Sequence, residues 1–420
     1  MTTGNGPVSF VGNSTKLQKN PHSWTKLGHV LYIDQPVGTG FSTASEPYPI
    51  DFDRVTSDFH KWLQSFFSQF PHLQSKRVHI IGESFAGYYV PYFASAIVND
   101  KDSFPLNLHS VSMGDPTIGN PAAMTSVTVG SFLQSRASVL QLPDDVLEVF
   151  ADAEETCGFN AVLQQANIFP PKGPIQIPGN PDKLNTKKPE VANVFNEACL
   201  IHPATAGAVE TSIMNSTCDG PCAVFSTALD YLQTTASSEC FDQYDITNDC
   251  STIDPSHLLH TYFSRPDVQT ALNIPQQNTP FTFTSCNNRI TAALTSKTSL
   301  PNPPTYSILP DLATTHNVPI HIYTGDNDLL INHIGTKLVL QNMTWNGAQG
   351  FSQKPDRVFY ADNAAPELGR EGANVNGPKA GTWGVERGLS YHLFDGAGHS
   401  VFAKKRRETF AFVRDVVVGG

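Results

Sequence analysis

The sequence predicts an α/β protein with a mostly parallel central sheet, flanking helices and an inserted disulfide-rich helical cap. The sheet is predicted by two blocks in which strand-like and helix-like segments alternate, one near each end of the 420-residue chain. Strands that alternate with helices are typical of parallel sheets, because each helix returns the chain to the edge where the next strand begins. The cap is predicted by the seven cysteines, all of which lie within residues 157–286.

The N-terminal block contains three strand-like segments and two helical ones. Residues 29–33 (HVLYI) predict a buried strand. Apolar residues at helical spacing, with an Asp near the start, predict an amphipathic helix over 51–69. The β-branched segment 77–82 predicts a second strand, and the helix that follows it at 85–99 contains a Pro. Residues 108–115 complete the block as a third strand.

The middle of the chain differs in pattern and is predicted to be an inserted cap. Residues 119–155 have a helical pattern, whereas the following stretch is rich in Pro, Gly and Lys without periodicity. Clustered cysteines predict disulfides that staple such an insertion. A zinc site is disfavoured, since Cys218 and Cys222 form one C-x3-C pair with no second pair and no nearby His.

A second α/β block closes the chain. Residues 318–324 and 389–394 predict strands, and helices are expected at 332–342 and near 401–416. The expected organisation is therefore an N-terminal part of the core with the nucleophile, an inserted cap or lid, and a C-terminal part of the core: residues 1–124, 125–300 and 301–420.

The composition excludes some classes of partner. Hydrophobic residues make up 40% of the chain, and the formal net charge is −11. An acidic surface argues against binding to nucleic acid or to an anionic membrane. No segment approaches the ~20 apolar residues of a membrane span.

Two features favour a secretory route, and one does not. The cysteines and the three glycosylation sequons, at Asn13, Asn215 and Asn342, are typical of exported proteins. The first residues, MTTGNGPVSF, do not have the basic start and apolar run of a signal peptide.

The hexapeptide GESFAG at residues 82–87 lies where a predicted strand meets a predicted helix. Such a turn strains the backbone and exposes a serine hydroxyl above the sheet, so Ser84 is the candidate nucleophile. The backbone N–H of Phe85, at the helix start, is the candidate donor to an oxyanion. The alternative is a tight turn that carries an ordinary serine.

A serine nucleophile needs a base and a residue that orients the base. His399 follows the last predicted strand in the segment DGAGHS, where Gly396 and Gly398 free the backbone. The orienting carboxylate should follow the preceding strand, in the segment YTGDND, which offers Asp326 and Asp328. Spacing does not choose between these two, and either could instead be a helix cap or an Asx turn.

The segments GESFAGYYVP, YIDQPVGTGFS, YTGDNDLLIN and DGAGHSVF resemble the sequence blocks of the serine carboxypeptidases, the family that contains carboxypeptidase Y and the plant carboxypeptidases. The resemblance covers nearly the whole chain and implies the α/β-hydrolase fold. It implies a serine-type carboxypeptidase that takes peptide or protein C-termini as substrates and uses no metal or cofactor. It also implies secretion or residence in a vacuolar or lysosomal lumen.

The resemblance assigns a role to each candidate. It implies the triad Ser84, Asp328 and His399, and it favours Asp328 over Asp326. It makes Glu83 the residue that holds the terminal carboxylate of the substrate. A carboxylate accepts another carboxylate only when one of the two carries a proton, so a protonated Glu83 is expected. The alternative for Glu83 is a surface carboxylate at a helix N-terminus.

The sequence also departs from the family pattern. Members carry an upstream Asn-Gly-Gly-Pro-Gly-Cys-Ser-Ser motif that supplies a second oxyanion donor and a contact to the terminal carboxylate; these 420 residues do not contain it. Gly4 stands where a Glu usually supports the partner of Glu83. In the family the Cys of this motif has a partner near Cys286, so its absence implies that Cys286 is unpaired while the other six cysteines form three disulfides. In the family's sheet, the strand that leads to the motif lies between the strands of 29–33 and 77–82, so its absence implies a gap beside residues 29–33.

These departures leave two alternatives to an active carboxypeptidase. Plant relatives of the family include acyltransferases, so an acyltransferase or esterase on the same scaffold is one. A catalytically impaired homologue is the other, and we expect the chain as written to have weaker peptidase activity than one with the upstream segment.

Overall fold

The computed structural model describes residues 2–43, 51–178, 202–216, 219–235, 241–248, 255–274, 281–295, 302–366 and 377–419. Its strands are, in chain order, β1 (Val8–Val11), β2 (Ser14–Lys19), β3 (Val78–Glu83), β4 (Leu108–Gly114), β5 (Ile320–Gly325), β6 (Thr344–Trp345), β7 (Ala348–Gln349), β8 (Arg357–Tyr360), β9 (Lys379–Glu386) and β10 (Leu389–Phe394).

Its α-helices are α1 (Phe52–Gln69), α2 (Pro71–Gln74), α3 (Ala86–Asn99), α4 (Pro121–Met124), α5 (Val129–Ser135), α6 (Ala137–Leu140), α7 (Asp144–Thr156), α8 (Phe159–Ala166), α9 (Ala206–Asn215), α10 (Val224–Thr235), α11 (Pro255–Phe263), α12 (Pro266–Ala271), α13 (Asn288–Leu294), α14 (Ile308–Thr314), α15 (His333–Asn342), α16 (Val401–Lys404) and α17 (Arg406–Phe412). Short 3-10 turns occur at Trp24–Lys26 and Pro304–Tyr306, and a π-helical turn at Val413–Val417. None of the helices in these described ranges is long and apolar enough to cross a bilayer.

The chain divides into two compact units. One consists of Met1–Ser75 and Cys250–Pro301, and the other of Lys76–Asp249 and Asn302–Gly420. The division expected from the sequence pattern, into an N-terminal core part, a cap and a C-terminal core part, has other boundaries than these two units. It stays a prediction.

The first unit contains the β1–β2 hairpin, the predicted amphipathic helix and a small aromatic cluster. In α1 the carboxylate of Asp51 accepts a hydrogen bond of 2.7 Å from the N–H of Arg54, which caps the first turn. The helix buries one face, at Phe52, Val55, Phe59, Leu63 and Phe67. A separate cluster forms where Phe41 packs on Phe283, with ring centroids 5.0 Å apart.

The strand predicted at 29–33 is wrong: these residues have no regular secondary structure and are exposed or half-buried. A strand is stable only where a neighbour pairs with its N–H and C=O groups. No strand of the described residues pairs with this segment. The run of apolar residues was therefore not sufficient to predict that this segment pairs with a neighbouring strand.

The second unit is built on a six-stranded sheet in the order β3-β4-β5-β10-β9-β8. The pairs β3–β4, β4–β5 and β5–β10 are parallel, whereas β9 and β8 continue the sheet antiparallel. The predicted mostly parallel α/β sheet is confirmed; β8 and β9 were not predicted. Because the parallel strands end at the same edge, the segments that follow β3, β4, β5 and β10 meet there.

Helices α5, α7 and α10, which lie between β4 and β5 in the chain, share one continuous core with this sheet. Phe132 of α5, Phe150 of α7 and Val224 of α10 are fully buried in the same cluster as Ile322 and Tyr391 of the sheet. The described part of the predicted disulfide-rich insertion within this unit is therefore helical, and the buried faces of these helices extend the core of the sheet.

The cysteine predictions are confirmed where the structure describes them. Cys157, at the end of α7, forms a disulfide with Cys222, two residues before α10. Cys286 is free and exposed, as the resemblance implied. The remaining cysteines lie outside the described residues: Cys199, Cys218, Cys240 and Cys250.

One of the three sequon asparagines has a structural role. The side-chain amide of Asn342 donates to the carbonyl of Ile175 at 2.9 Å, and its oxygen accepts from the N–H of Ile175 at 2.8 Å. The side chain thus pairs with the main chain of a distant segment as a strand neighbour would, and holds that segment against the end of α15.

We expect Asn342→Gln to destabilise the protein by about 2 kcal/mol, because the longer side chain breaks two partly buried hydrogen bonds to Ile175. The measurement is the denaturant midpoint at an unchanged m-value. Asn215→Gln, at the exposed end of α9, is the matched control and should change stability by less than about 0.5 kcal/mol. Equal effects in the two variants would contradict the structural role of Asn342.

Candidate active site

Ser84 occupies a strained turn between β3 and α3. Its φ is +61°, a left-handed conformation that is uncommon for a residue with a side chain. The turn is held by main-chain bonds: Ser84 N–H donates to Gly114 at 2.8 Å, and its carbonyl accepts from Gly87 at 2.8 Å and Thr117 at 3.0 Å. The expected nucleophile turn is confirmed as a geometry, while its catalytic use is a prediction.

Glycine is required on both sides of this turn. A side chain at Gly82 would collide with Ala86 and Val90, and one at Gly87 would meet the backbone of Thr117 at 2.6 Å. The small residues therefore let the first turn of α3 close over the end of β3. Phe85 is the cap residue of α3, so its N–H lies at the positive end of the helix dipole.

The loop after β10 delivers His399 to the same edge of the sheet. Gly396 has φ +68°, and Gly398 is so close to Tyr244 and Asp245 that no side chain would fit. The N–H of His399 donates to the carbonyl of Tyr244 at 2.6 Å, and the Tyr244 ring packs edge-on against the imidazole with centroids 5.2 Å apart. The segment that contains Tyr244 therefore fixes both the backbone and the ring of His399.

Asp328 is the carboxylate that contacts the imidazole. Its Oδ2 lies 2.6 Å from Nδ1 of His399, its Oδ1 accepts from the N–H of Ile331 at 3.2 Å, and the side chain is fully buried. Burial lowers the pKa of His399, but the acidic groups around the imidazole, chiefly Asp328 with its charge and hydrogen bond, together raise that pKa above its ordinary value. Nε2 is buried and has no hydrogen-bond partner in the described part of the chain, Ser84 included.

Asp326 faces the other way and has a structural role. Its carboxylate forms an ion pair of 2.6 Å with Arg136 and accepts from the N–H of Gly396 at 2.7 Å. It thereby ties a helix of the insertion to the loop that carries His399. The resemblance to the family favoured Asp328 over Asp326 as the residue that contacts His399. The observed contacts agree with that choice.

Glu83 lies beside this group, at the end of β3. Its Oε1 accepts from the hydroxyl of Ser400 at 2.8 Å, and its Oε2 is buried with no hydrogen-bond partner among the described residues. Burial raises the pKa of Glu83 to about 7, against the opposing charge of His399 and the bond from Ser400. At mildly acidic pH the carboxyl is therefore neutral and can donate a hydrogen bond.

Three residues of this edge were not found from the sequence. Asp115 directly follows β4, Tyr244 packs on His399, and Ser400 contacts Glu83. Asp115 directly follows β4, and Ser400 directly follows the candidate base His399. Each of these positions is a signal by which the residue could have been identified from the sequence. Tyr244 lies in the cysteine-rich region, where the sequence had no periodicity to place it. In the described ranges no group of three His, Cys, Asp or Glu side chains could hold a metal ion.

A family model for serine carboxypeptidases (Peptidase_S10) matches residues 1–419. The chain belongs to the serine carboxypeptidase family. Its resemblance to this family, inferred above from four sequence segments, is thereby confirmed, as are the fold and the enzyme class that it implied.

Individual relatives agree with this membership. A carboxypeptidase Y homolog of Arthroderma benhamiae is 44% identical over 99% of this chain and 80% of its own length. The pheromone-processing carboxypeptidase kex1 of Aspergillus fumigatus is 27% identical over 94% of this chain and 54% of its own length. The crystal structure of the Saccharomyces cerevisiae prohormone-processing carboxypeptidase KEX1(delta)p matches with a TM-score of 0.67 at 20% identity, over 99% of this chain and 78% of that one. This last likeness supports the fold.

The two neighbouring aspartates should respond differently to amidation. Asp328→Asn is expected to lower kcat by about 10⁴ with little loss of stability, because the amide favours the wrong tautomer of His399. Asp326→Asn should instead lower stability by about 2 kcal/mol, since it leaves Arg136 without its charged partner, and lower kcat by at most about tenfold. Steady-state kinetics and thermal unfolding of both variants separate the two roles; exchanged phenotypes would refute the assignment.

Proposed function

We propose that this protein is a serine-type carboxypeptidase that releases C-terminal residues from peptides through an acyl-enzyme on Ser84. The observation that carries the proposal is the His399–Asp328 pair, buried at the sheet edge where the strained Ser84 turn also ends. The family membership supports the same reaction. An esterase or acyltransferase is not favoured by any contact of the site.

Each of these residues then has a defined role in the reaction. Nε2 of His399 takes the proton of Ser84 as its oxygen attacks the carbonyl carbon, and Asp328 stabilises the resulting imidazolium. The N–H of Phe85 donates to the oxyanion. His399 passes the proton to the leaving amine, the C–N bond breaks, and water hydrolyses the ester on Ser84 by the same route.

Glu83 is proposed to select substrates with a free C-terminus. Its unpartnered Oε2 is suited to donate, while protonated, to the terminal carboxylate of the peptide. The bond from Ser400 to Oε1 leaves the proton to Oε2, because a carboxyl oxygen that accepts a hydroxyl is the poorer site for a proton. Substrate binding therefore depends on a neutral Glu83.

The disulfide between Cys157 and Cys222 supports a place in an oxidising compartment. With the three sequons, this favours secretion or residence in a vacuolar or lysosomal lumen. Peptides and protein C-termini in that compartment are the proposed substrates.

Glu83 should make peptide binding sensitive to pH near 7. Below pH 7 the neutral carboxyl donates to the substrate, and above pH 7 the ionised carboxylate repels it. The neutral fraction falls about tenfold between pH 6 and 8, so KM for a blocked dipeptide acid is expected to rise by about tenfold over this range. Glu83→Gln keeps a neutral donor at every pH, and its KM should be flat over this range. The matched amidated dipeptide, which has no carboxylate, should show no rise with either enzyme.

Two outcomes would overturn the proposal for Glu83. One is an equal pH dependence of KM for the acid and the amide. The other is hydrolysis of a blocked peptide ester together with no hydrolysis of the acid at any pH, which would support an esterase or acyltransferase.

Ser84→Ala is expected to abolish both hydrolysis and labelling by a serine-directed phosphonate, because the alcohol that forms the covalent bond is gone. Intact-mass measurement after exposure to the phosphonate reads out one adduct in the unsubstituted protein and none in the variant. Ser400→Ala is a useful control, since it keeps the nucleophile and should still be labelled. Persistent labelling of Ser84→Ala would place the nucleophile elsewhere.

A further inference from the structure

Asp115 is a buried carboxyl that the proposed mechanism does not use. It directly follows β4, is fully buried and has φ +39°. Its N–H donates to the carbonyl of Tyr323 at 2.8 Å, and its Oδ1 accepts from the N–H of Gly325 at 3.0 Å. Both bonds fasten it to the end of β5, three residues before Asp328.

The second oxygen of Asp115 points to a protonated state. Oδ2 is buried and receives no hydrogen bond from any described residue. Asp328 lies three residues beyond Gly325 at the same edge of the sheet, and the charges of Asp328 and Glu83 both raise the pKa of Asp115. A buried ionised oxygen with no donor is costly. The charge of one buried carboxylate also disfavours the ionisation of a second carboxyl near it.

The two carboxyls differ in the hydrogen bonds that they receive. Asp328 receives two hydrogen bonds that favour its charged form, from the N–H of Ile331 and from Nδ1 of His399. Asp115 receives one, from Gly325. Burial, and after it the charge of Asp328, raise the pKa of Asp115 well above its usual range.

We propose that Asp115 is a neutral carboxylic acid that donates its Oδ2 proton to the Asp328 carboxylate and so acts as a positioning residue for the triad. Asp328 is then held by three donors, from Ile331, His399 and Asp115, and its plane is fixed relative to the imidazole. The inference rests on the proposed role of Asp328 as the residue that orients His399.

The test uses two variants of Asp115. Asp115→Asn keeps an acceptor for Gly325 and a neutral donor for Asp328, so kcat should stay within about threefold of the unsubstituted protein from pH 5 to 8. Asp115→Ala removes the donor and should lower kcat by about ten- to a hundredfold through a misplaced triad, with KM for the blocked dipeptide nearly unchanged. The rescue by Asn separates a donor from mere filling of space.

Ser112→Ala, in β4 and as buried as Asp115, is the control for packing and should leave kcat unchanged. Thermal unfolding of all variants reports whether each is folded. Because phosphonate labelling of Ser84 is measured in parallel, failure of the proposed function appears as no labelling of the unsubstituted protein.

Two results would overturn the proposal while the function stands. Asp115→Ala, folded, with the kcat of the unsubstituted protein would exclude a positioning role. Asp115→Asn with the low kcat of Asp115→Ala, or with the acidic limb of its pH profile moved by half a unit or more, would mean that Asp115 acts as a charge and not as a neutral donor.

Discussion

The parallel pairing of β3, β4, β5 and β10 is the constraint on which the rest of the site depends. Parallel strands in register end at one edge of the sheet, so the residues just after them come together whatever their distance in sequence. Glu83, Asp115, Asp328 and His399 all follow or end one of these four strands. The strained turn at Ser84 is possible because its backbone groups are satisfied by the neighbouring strand at Gly114 and by Thr117.

The edge concentrates ionisable groups in a place from which water is largely excluded. Burial raises the pKa of Glu83 and of Asp115, whereas the carboxylate of Asp328 raises that of His399. These directions are mutually consistent: burial disfavours a negative charge on Glu83 and on Asp115, and the carboxylate of Asp328 contacts the imidazole. The proposed binding of a substrate carboxylate is favoured by this arrangement, because further negative charge would repel it.

Hydrogen-bond donors decide which carboxyl takes which role. Asp326 and Asp328 are two residues apart and chemically identical, yet one meets Arg136 and the N–H of Gly396 while the other meets His399. The first pairing closes the loop that carries the imidazole, and the second orients the ring itself. The loop is fixed again from outside by the carbonyl of Tyr244, so several independent contacts restrain one histidine.

The sequence by itself determined the elements with strong periodicity and the local turn chemistry. The amphipathic helix at 51–69, the strand at 77–82 and the GESFAG turn were predicted, because side-chain spacing and small residues act over a few positions. Tertiary structure decided the rest. Residues 29–33 are apolar but form no strand, since pairing depends on a neighbour that the local sequence does not encode. The proposed role of Asp115 was likewise out of reach of the sequence, because the raised pKa of its carboxyl depends on burial and on the distant Asp328, which only the folded sheet brings near.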